Sequence, residues 1–376
     1  LRQETLIPRK AAGGIEVRVQ APGAPESSNL RPRDPFRALP LRPQMDIRVL
    51  TNPIIPSWHP SDLEKFLGGN EETLVLWSAA MAGAGHQVTI YTSLRGQEFD
   101  SFPVDGGDSP KVAWRQRESF DPASACDVLV SFKTREPWYH PTAAGLKIHW
   151  SNDVESPWSS GLRRQMDKFI YLSTYHLERN PWIQAERAVM IPLAVDPDEY
   201  RPKGEKDPNL AIYATSPDRG LDILLRDWPR IQVVHPGLRL LVTYDWSRVP
   251  PQAQQQWKPL LEQPGIVRET FDHEGIVETF QTARFYIHTL NRNDSDLFGF
   301  GAIKAQACGA IPVLPSVHDN GFRDAVKTWI PYVEFLRGNV EPRSNPQWCT
   351  SAMSWKTIVR DYWMPMLEGK EVGHAA

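Results

Sequence analysis

Apolar residues first cluster at Ile47, Val49 and Leu50, a short run that ends at Asn52 and Pro53 and predicts a buried strand. Downstream, "LGGNEETLVLWSAAMAGAGHQVTIYTS" reads as a glycine turn, a helix over 71–82, a Gly-Ala-Gly stop and a strand over 87–91. Strand, helix and strand in that order make a βαβ unit, which implies a parallel sheet. The alternation continues with strand-like "CDVLVSF" and "LKIHWSND", a helix around "SGLRRQMDKF", then apolar "FIYLST" and "AVMIPL". A proline-rich exit at "AVDPDEYRP" reads as a linker.

Beyond the linker, "NLAIYATSPDRGLDILLRDWPRI" opens a second series, followed by strands at "LRLLVTYD" and "RFYIHTL" and a helix at "HEGIVETFQTA". The stretch "DLFGFGAIKAQACGAIPV" then gives a loop of small residues, a helix stopped by Gly309, and a buried strand. Near the end, Trp355, Ile358, Val359, Tyr362 and Trp363 share one helical face. So much aromatic area needs a partner, and the first half of the chain is the expected one. Residues before Met45 are dense in Pro, Arg and Ser, with no apolar period. The expected organisation is α/β throughout: a flexible leader over 1–44, open parallel domains over 45–197 and 198–348, and a terminal helix over 349–376 that returns to the first domain.

A length of 376 residues suits two domains with separate cores. With 42 Lys and Arg against 45 Asp and Glu, the net charge of -3 gives no positive field for a phosphate backbone, so nucleic acid is not an expected partner. Cys126, Cys308 and Cys349 lack metal-ligand spacing and read as buried thiols of a reducing compartment. No apolar run reaches the roughly 20 residues of a bilayer crossing, and "LRQETLIPRK" lacks a signal peptide's apolar centre. The expected location is cytoplasmic, with peripheral membrane contact left open.

In open α/β sheets ligands collect beyond the carboxyl ends of the strands, so candidate residues should follow strands. Gly68, Gly69, Asn70 and Glu71 open the first helix, where free amide groups can face an anion. Ser216, Pro217 and Asp218 begin a helix in the second half, and Arg219 on its first turn opposes the macrodipole unless an anion sits there. Gly299 and Gly301 let backbone approach a ligand at the start of another helix. The acidic run Asp294 to Asp296 resembles a cation-holding pair, but a simple acidic loop is the plainer reading and no metal or cofactor is expected. Asn293 begins a glycosylation sequon whose glycan would block this same cleft. His86, His149 and His288 read as core or rim histidines, and no Ser-His-Asp or Cys-His set follows from spacing. Trp58, Trp138, Trp158 and Trp182 suggest an aromatic platform for a sugar or lipid-like acceptor, with a core place for half of them as the alternative.

Taken together these stretches resemble the retaining, nucleotide-sugar-dependent glycosyltransferases of family 4, whose GT-B fold has two facing Rossmann-like domains. The resemblance runs from about Met45 to the terminal helix. It is carried in order by the glycine loop with its helix and "GHQVTIYTS", by "IYLSTYH", by "VMIPLAVDPDEYRP" with Ala194 in place of glycine, by "YATSPDRGLDILLRDWP" and by "GFGAIKAQACGAIPV". Where the family has Glu, seven residues and Glu, this chain has Asp296 and Lys304. Arg219 stands at the family's lysine position, Ala214 at its arginine position, and Asn152 with Asp153 where a histidine is usual.

The resemblance implies transfer of a sugar from a UDP- or GDP-linked donor to a glycan or other hydroxyl acceptor, with retention and without a metal. It places the donor in the second domain against Ser216, Arg219, Phe298, Gly299, Phe300, Gly301 and Lys304, with Lys304 a phosphate contact in place of the lost carboxylate. Asp296 would meet the transferred sugar, and the acceptor would enter beside Gly69, Asn70, Asn152 and Asp153. A catalytically silent nucleotide- or carbohydrate-binding protein of the same fold is the alternative, and an epimerase of that fold is a third reading.

Overall fold

The computed structural model describes residues 44–53, 57–64, 67–101, 111–244, 246, 249–291, 296–315, 321–341, 353–370 and 372. The leader expected over 1–44 lies outside these residues apart from Gln44, as do the sequon at Asn293 and Cys349.

In chain order, β1 (Asp46–Thr51) leads to α1 (Gly69–Gly83) and β2 (Gln87–Thr92). There follow β3 (Phe99–Asp100), β4 (Val112–Gln116), β5 (Cys126–Phe132), β6 (Ala144–Trp150), α2 (Ser160–Arg164), β7 (Lys168–Tyr171), α3 (Thr174–Glu178) and β8 (Ala188–Met190). These strands form one eight-stranded sheet in the order β3-β4-β2-β1-β5-β6-β7-β8, parallel except where β3 meets β4. The second series is β9 (Asp207–Tyr213), α4 (Leu221–Val234), β10 (Arg239–Val242), α5 (Pro251–Leu261), β11 (Ile266–Arg268), α6 (His273–Thr282), β12 (Ala283–Ile287), α7 (Phe300–Ala307), β13 (Ile311–Leu314) and β14 (Ile330–Pro331). Its six strands run β11-β10-β9-β12-β13-β14, all parallel.

Parallel strands are covered on both faces, which is why "CDVLVSF" and "IPVL" are nearly unbroken apolar runs. Helix α4 buries Leu221, Leu224, Leu225, Trp228 and Ile231, the spacing of a single helical stripe. By contrast α2 covers only five residues of the helix expected around 160–169, because Met166 and Phe169 are drawn into a core with Trp138 and Trp158. Cys308 is buried, whereas Cys126 is only half-buried, a correction to the expectation for that thiol.

Each sheet has a point at which its strand order reverses. In the first sheet β1 lies between β2 and β5, and in the second β9 lies between β10 and β12. The loops leaving such neighbouring strands diverge to opposite sides and open a crevice at the carboxyl edge. Lys133 follows β5 and His288 follows β12, so both stand at these crevices.

The terminal helix comprises Trp355–Ile358, a π-helical turn over Val359–Trp363, and Met364–Leu367. It crosses back to the first domain, where the Trp363 ring lies 4.8 Å from that of Trp77 on α1 and 5.0 Å from that of Trp150 on β6. His86 Nε2 meets Met364 Sδ at 3.2 Å on the same surface. No helix among the described residues is long and apolar enough to cross a membrane.

Trp363 is 1 % exposed, so Trp363→Ala should leave a large void and cost about 3–5 kcal/mol of stability. Urea denaturation followed by tryptophan fluorescence checks this, and a loss below about 1 kcal/mol would contradict this role for the terminal helix.

Candidate functional site

A cavity of about 810 Å³ is lined by residues of both sheets' carboxyl-end loops. Gly68, Gly69 and Asn70, with Asn152 and Asp153, contribute to its first-domain wall. Ser216 and Arg219, Asp296 with Phe298 and Gly299, and Phe300, Gly301 and Lys304 contribute to the opposite wall. Glu71, expected with the first glycine loop, is not on the lining; Glu72 is. The Glu71 carboxylate folds back over Gly68, where an added Cβ would lie 2.5 Å from its Oε2.

On the first-domain side, Asn152 Nδ2 donates to Asn70 Oδ1 at 2.9 Å, which ties the loop after β6 to the start of α1. Asn152 Oδ1 is buried and has no hydrogen-bond partner among the described residues. The Asp153 carboxylate lies 2.8 Å from the Lys133 ammonium. Lys133 also lines the cavity, and at φ 56° it is the one non-glycine residue of left-handed backbone among those described. Such a conformation costs on the order of 1 kcal/mol and is found where surrounding structure enforces it, often at functional sites. The carbonyl oxygen of Asp153 lies 2.9 Å from His176 Nε2 and accepts a hydrogen bond from Ser151 Oγ, also at 2.9 Å.

Beneath this loop lies a polar series that spacing did not reveal. Ser131 Oγ is 2.7 Å from His149 Nδ1, and His149 Nε2 is 2.5 Å from Glu155 Oε1. Trp158 Nε1 donates to Glu155 Oε2 at 2.6 Å, and Trp138 Nε1 donates to Ser131 Oγ at 2.8 Å. Ser131 is fully buried and does not line the cavity, so this Ser-His-Glu order is a brace and not a nucleophile. Burial pushes the Glu155 carboxyl up, but the His149 charge and the hydrogen bonds from His149, Ser151 and Trp158 prevail and hold it at about 2. The aromatic platform is not present as expected: Trp58, Trp138 and Trp158 are core residues, and Trp182 is half-buried with its ring stacked on Trp158.

On the second-domain side, Gly299 is left-handed at φ +83°, and a Cβ there would lie 2.2 Å from the Phe322 ring. Only glycine fits that turn, and it lets α7 begin at the cavity wall. Asp296 Oδ1 accepts from the amides of Phe298 at 3.0 Å and Gly299 at 2.5 Å, so one carboxylate oxygen holds the loop. The other, Oδ2, is 3.9 Å from His288 Nδ1. His288 Nδ1 lies 3.1 Å from the Tyr286 hydroxyl, and its buried Nε2 has no hydrogen-bond partner among the described residues. Burial drives the His288 pKa down to about 4, with nearby Asp296 opposing the shift, so the ring is neutral at pH 7. Arg219 closes a short 3-10 turn over Pro217–Arg219 after β9, in which Ser216 Oγ bonds the Asp218 carboxylate.

The walls meet where α1 and α7 begin. A Cβ on Gly69 would lie 3.2 Å from the Phe300 ring, so the two first turns touch. Behind this contact Lys304 Nζ donates to Glu72 Oε2 at 2.6 Å. The Lys304 ammonium also lies 4.3 Å from the Phe300 ring centre and 4.8 Å from that of Tyr200. The expected phosphate contact is therefore engaged with a first-domain carboxylate. Farther along the junction, Asp324 Oδ2 accepts from both the amide and the hydroxyl of Thr174 at 2.7 Å, and Ser173 Oγ donates to the Leu297 carbonyl at 2.5 Å. Among the described residues no group of three or more His, Cys, Asp or Glu side chains could hold a metal ion.

No family model matches the sequence, and no curated protein matches it. Solved structures do match the fold. HepE of Anabaena in complex with UDP-glucose is 13% identical, with 86% of this chain and 100% of that one covered and a TM-score of 0.59. The catalytic domain of starch synthase IV from Arabidopsis thaliana, bound to ADP and acarbose, is 11% identical over 87% and 98%, with a TM-score of 0.56. A glycosyltransferase from Rickettsia africae is 14% identical over 87% and 96%, with a TM-score of 0.54. The fold is GT-B.

Among the lining residues not expected to have a functional role are Glu72, Lys133 and His288, the last read only as a core or rim histidine. The signal for Lys133 and His288 was their place immediately after a strand beside a reversal of strand order. Glu72 had no such signal, because its partner lies 232 positions away.

Because Glu155 is held at about 2 in the folded chain and titrates at about 4.3 when unfolded, its contribution is complete above the higher value and disappears as pH falls through the lower. Glu155→Gln should cost about 3 kcal/mol at pH 7, and the gap to wild type should close between about pH 4.5 and 2. Thermal melts across that range check it; a gap independent of pH would contradict the assignment.

Proposed function

We propose that this chain is a glycosyltransferase that moves a sugar from a nucleoside diphosphate donor to a hydroxyl acceptor, with retention and without a metal, as in the family 4 enzymes it resembles. The observation that carries the reading is the meeting of two glycine-bearing helix starts, Gly68 to Asn70 and Phe298 to Gly301, in one cavity lined from both sheets. Amide groups at helix starts favour phosphate, and Arg219 adds a full positive charge on the same wall. The complex of the structurally similar HepE with UDP-glucose supports a donor of this chemistry.

In this reading the diphosphate lies against Arg219 and the amides of the Phe298 to Gly301 loop, with Lys304 beside it in its pair with Glu72. Charge growing on the leaving diphosphate is stabilised by these fixed donors, which need no reorganisation as the bond breaks. Asp296, with Oδ1 held by the loop, turns Oδ2 to hydroxyls of the transferred sugar. In the tautomer in which Tyr286 donates to His288 Nδ1, Nε2 carries a proton and offers a neutral donor to the donor substrate. The acceptor hydroxyl enters beside Gly69, Asn70, Asn152 and Asp153, where the braced loop fixes its approach to the anomeric carbon.

Calorimetric titration with UDP, GDP and ADP in the presence of EDTA tests the reading. One of them should bind at micromolar concentration, and Arg219→Ala should weaken it by about 10-fold or more through loss of a charge-assisted contact. With the matching sugar nucleotide, Asp153→Asn should lower turnover by about 100-fold while donor affinity stays within about 2-fold. Anomeric coupling constants of the product report retention. If a nucleotide binds but no sugar is transferred or hydrolysed, the silent binding protein is the better reading; if none binds, both fail.

A further inference from the structure

Glu72 is 4 % exposed, yet it belongs to the cavity lining. Its Oε2 accepts from Lys304 at 2.6 Å, whereas Oε1 is buried and has no hydrogen-bond partner among the described residues. An ionised carboxylate can accept about four hydrogen bonds, and leaving a buried oxygen with none is costly. Lys304 is enclosed in turn by the Phe300 and Tyr200 rings, which orient its charge toward Glu72. Replacing a buried ion pair with well-packed apolar groups is often neutral or stabilising, so stability alone gives no reason for this pair. Its place on the lining supplies one: a residue of the cavity wall keeps one carboxylate oxygen unpartnered among the described residues while Lys304 holds the other.

We infer that Glu72 is a donor-binding residue whose Oε1 accepts a hydrogen bond from a hydroxyl of the sugar nucleotide, on its ribose or its hexose, while Lys304 holds Oε2. The inference rests on the transferase reading and adds to it the group that reads donor hydroxyls. That group comes from α1 of the first domain, whereas Asp296 and Arg219 come from the second. A donor that reaches both therefore bridges the domains, and its hydroxyl pattern is sensed where they meet. Lys304 is a positioning residue in this arrangement.

The test is calorimetric titration of UDP, GDP and ADP, their 2′-deoxy counterparts and their glucose conjugates into wild type and variants, with melting temperatures recorded in parallel. A hydrogen bond to a charged group is worth about 1.5–3 kcal/mol, so wild type should show a preference of about 10-fold or more for the probe carrying the hydroxyl. Preference for the nucleoside diphosphate over its 2′-deoxy form places the hydroxyl on ribose; preference for the glucose conjugate over the free diphosphate places it on the hexose. Glu72→Gln removes the counter-charge of Lys304, so the neutral pair Glu72→Gln with Lys304→Met is made beside it. In that pair the preference should fall below about 2-fold, read as the ratio between paired probes so that any loss of diphosphate affinity from removing the Lys304 charge cancels. Glu72→Asp, which keeps the charge and draws it back by one methylene, should lose the same preference. Folded variants that retain the wild-type preference overturn the inference and leave the transferase reading standing, as does a wild type that binds without any preference. A wild type that binds no probe at all overturns the transferase reading and the inference with it.

Discussion

The contact between the first turns of α1 and α7 is the constraint on which the cavity depends. Gly69 lies against the Phe300 ring, and the Glu72 to Lys304 ion pair lies behind them. Without a side chain at Gly69 the helices come close enough for that ion pair to form at 2.6 Å. Both helix starts thereby bring their amide-rich ends to one space, and two positive dipole ends facing the same cavity favour an anionic ligand. Burial strengthens the pair's attraction but also removes each group from water, so the pair sets geometry more than it adds stability.

The first-domain wall is held by a different device. Lys133 is forced into left-handed backbone after β5, where its ammonium reaches Asp153. The loop carrying Asn152 and Asp153 is fixed from beneath by Glu155, which His149 and Trp158 hold in its ionised form. Such a brace fixes side chains that would otherwise move with an exposed loop, the precision that the proposed transfer would use to align an acceptor hydroxyl. On the second-domain wall, Asp296 performs both tasks at once, with one oxygen capping its own loop and the other directed toward His288.

Much of this architecture was legible in the sequence. Unbroken apolar strands alternating with helices gave the parallel sheets, and the aromatic face around Trp363 gave the returning helix, because both are local patterns with a strong burial requirement. Helix α5 escaped because "PQAQQQWKPLL" buries only Leu261, and β4 because its few apolar residues follow a stretch without period. At the site, glycine loops and residues following strands were recognisable, whereas Glu71 was chosen over Glu72. Adjacent positions on a helix point about 100° apart, and only the facing helix decides which one is used. Lys304 was likewise expected to contact phosphate, since nothing near it in sequence announces a carboxylate on another domain. The tryptophans misled for a related reason: a large aromatic in a strand-rich chain fills a core more readily than it stands at a surface.

Hydrogen–deuterium exchange on addition of the sugar nucleotide that binds asks directly whether one ligand touches both helix starts. Amides over 69–73 and over 299–303 should gain protection together, with the loop at 152–154 slowed when acceptor is added as well. Protection confined to one sheet, with bound ligand confirmed by titration, would contradict a donor site shared between the two domains.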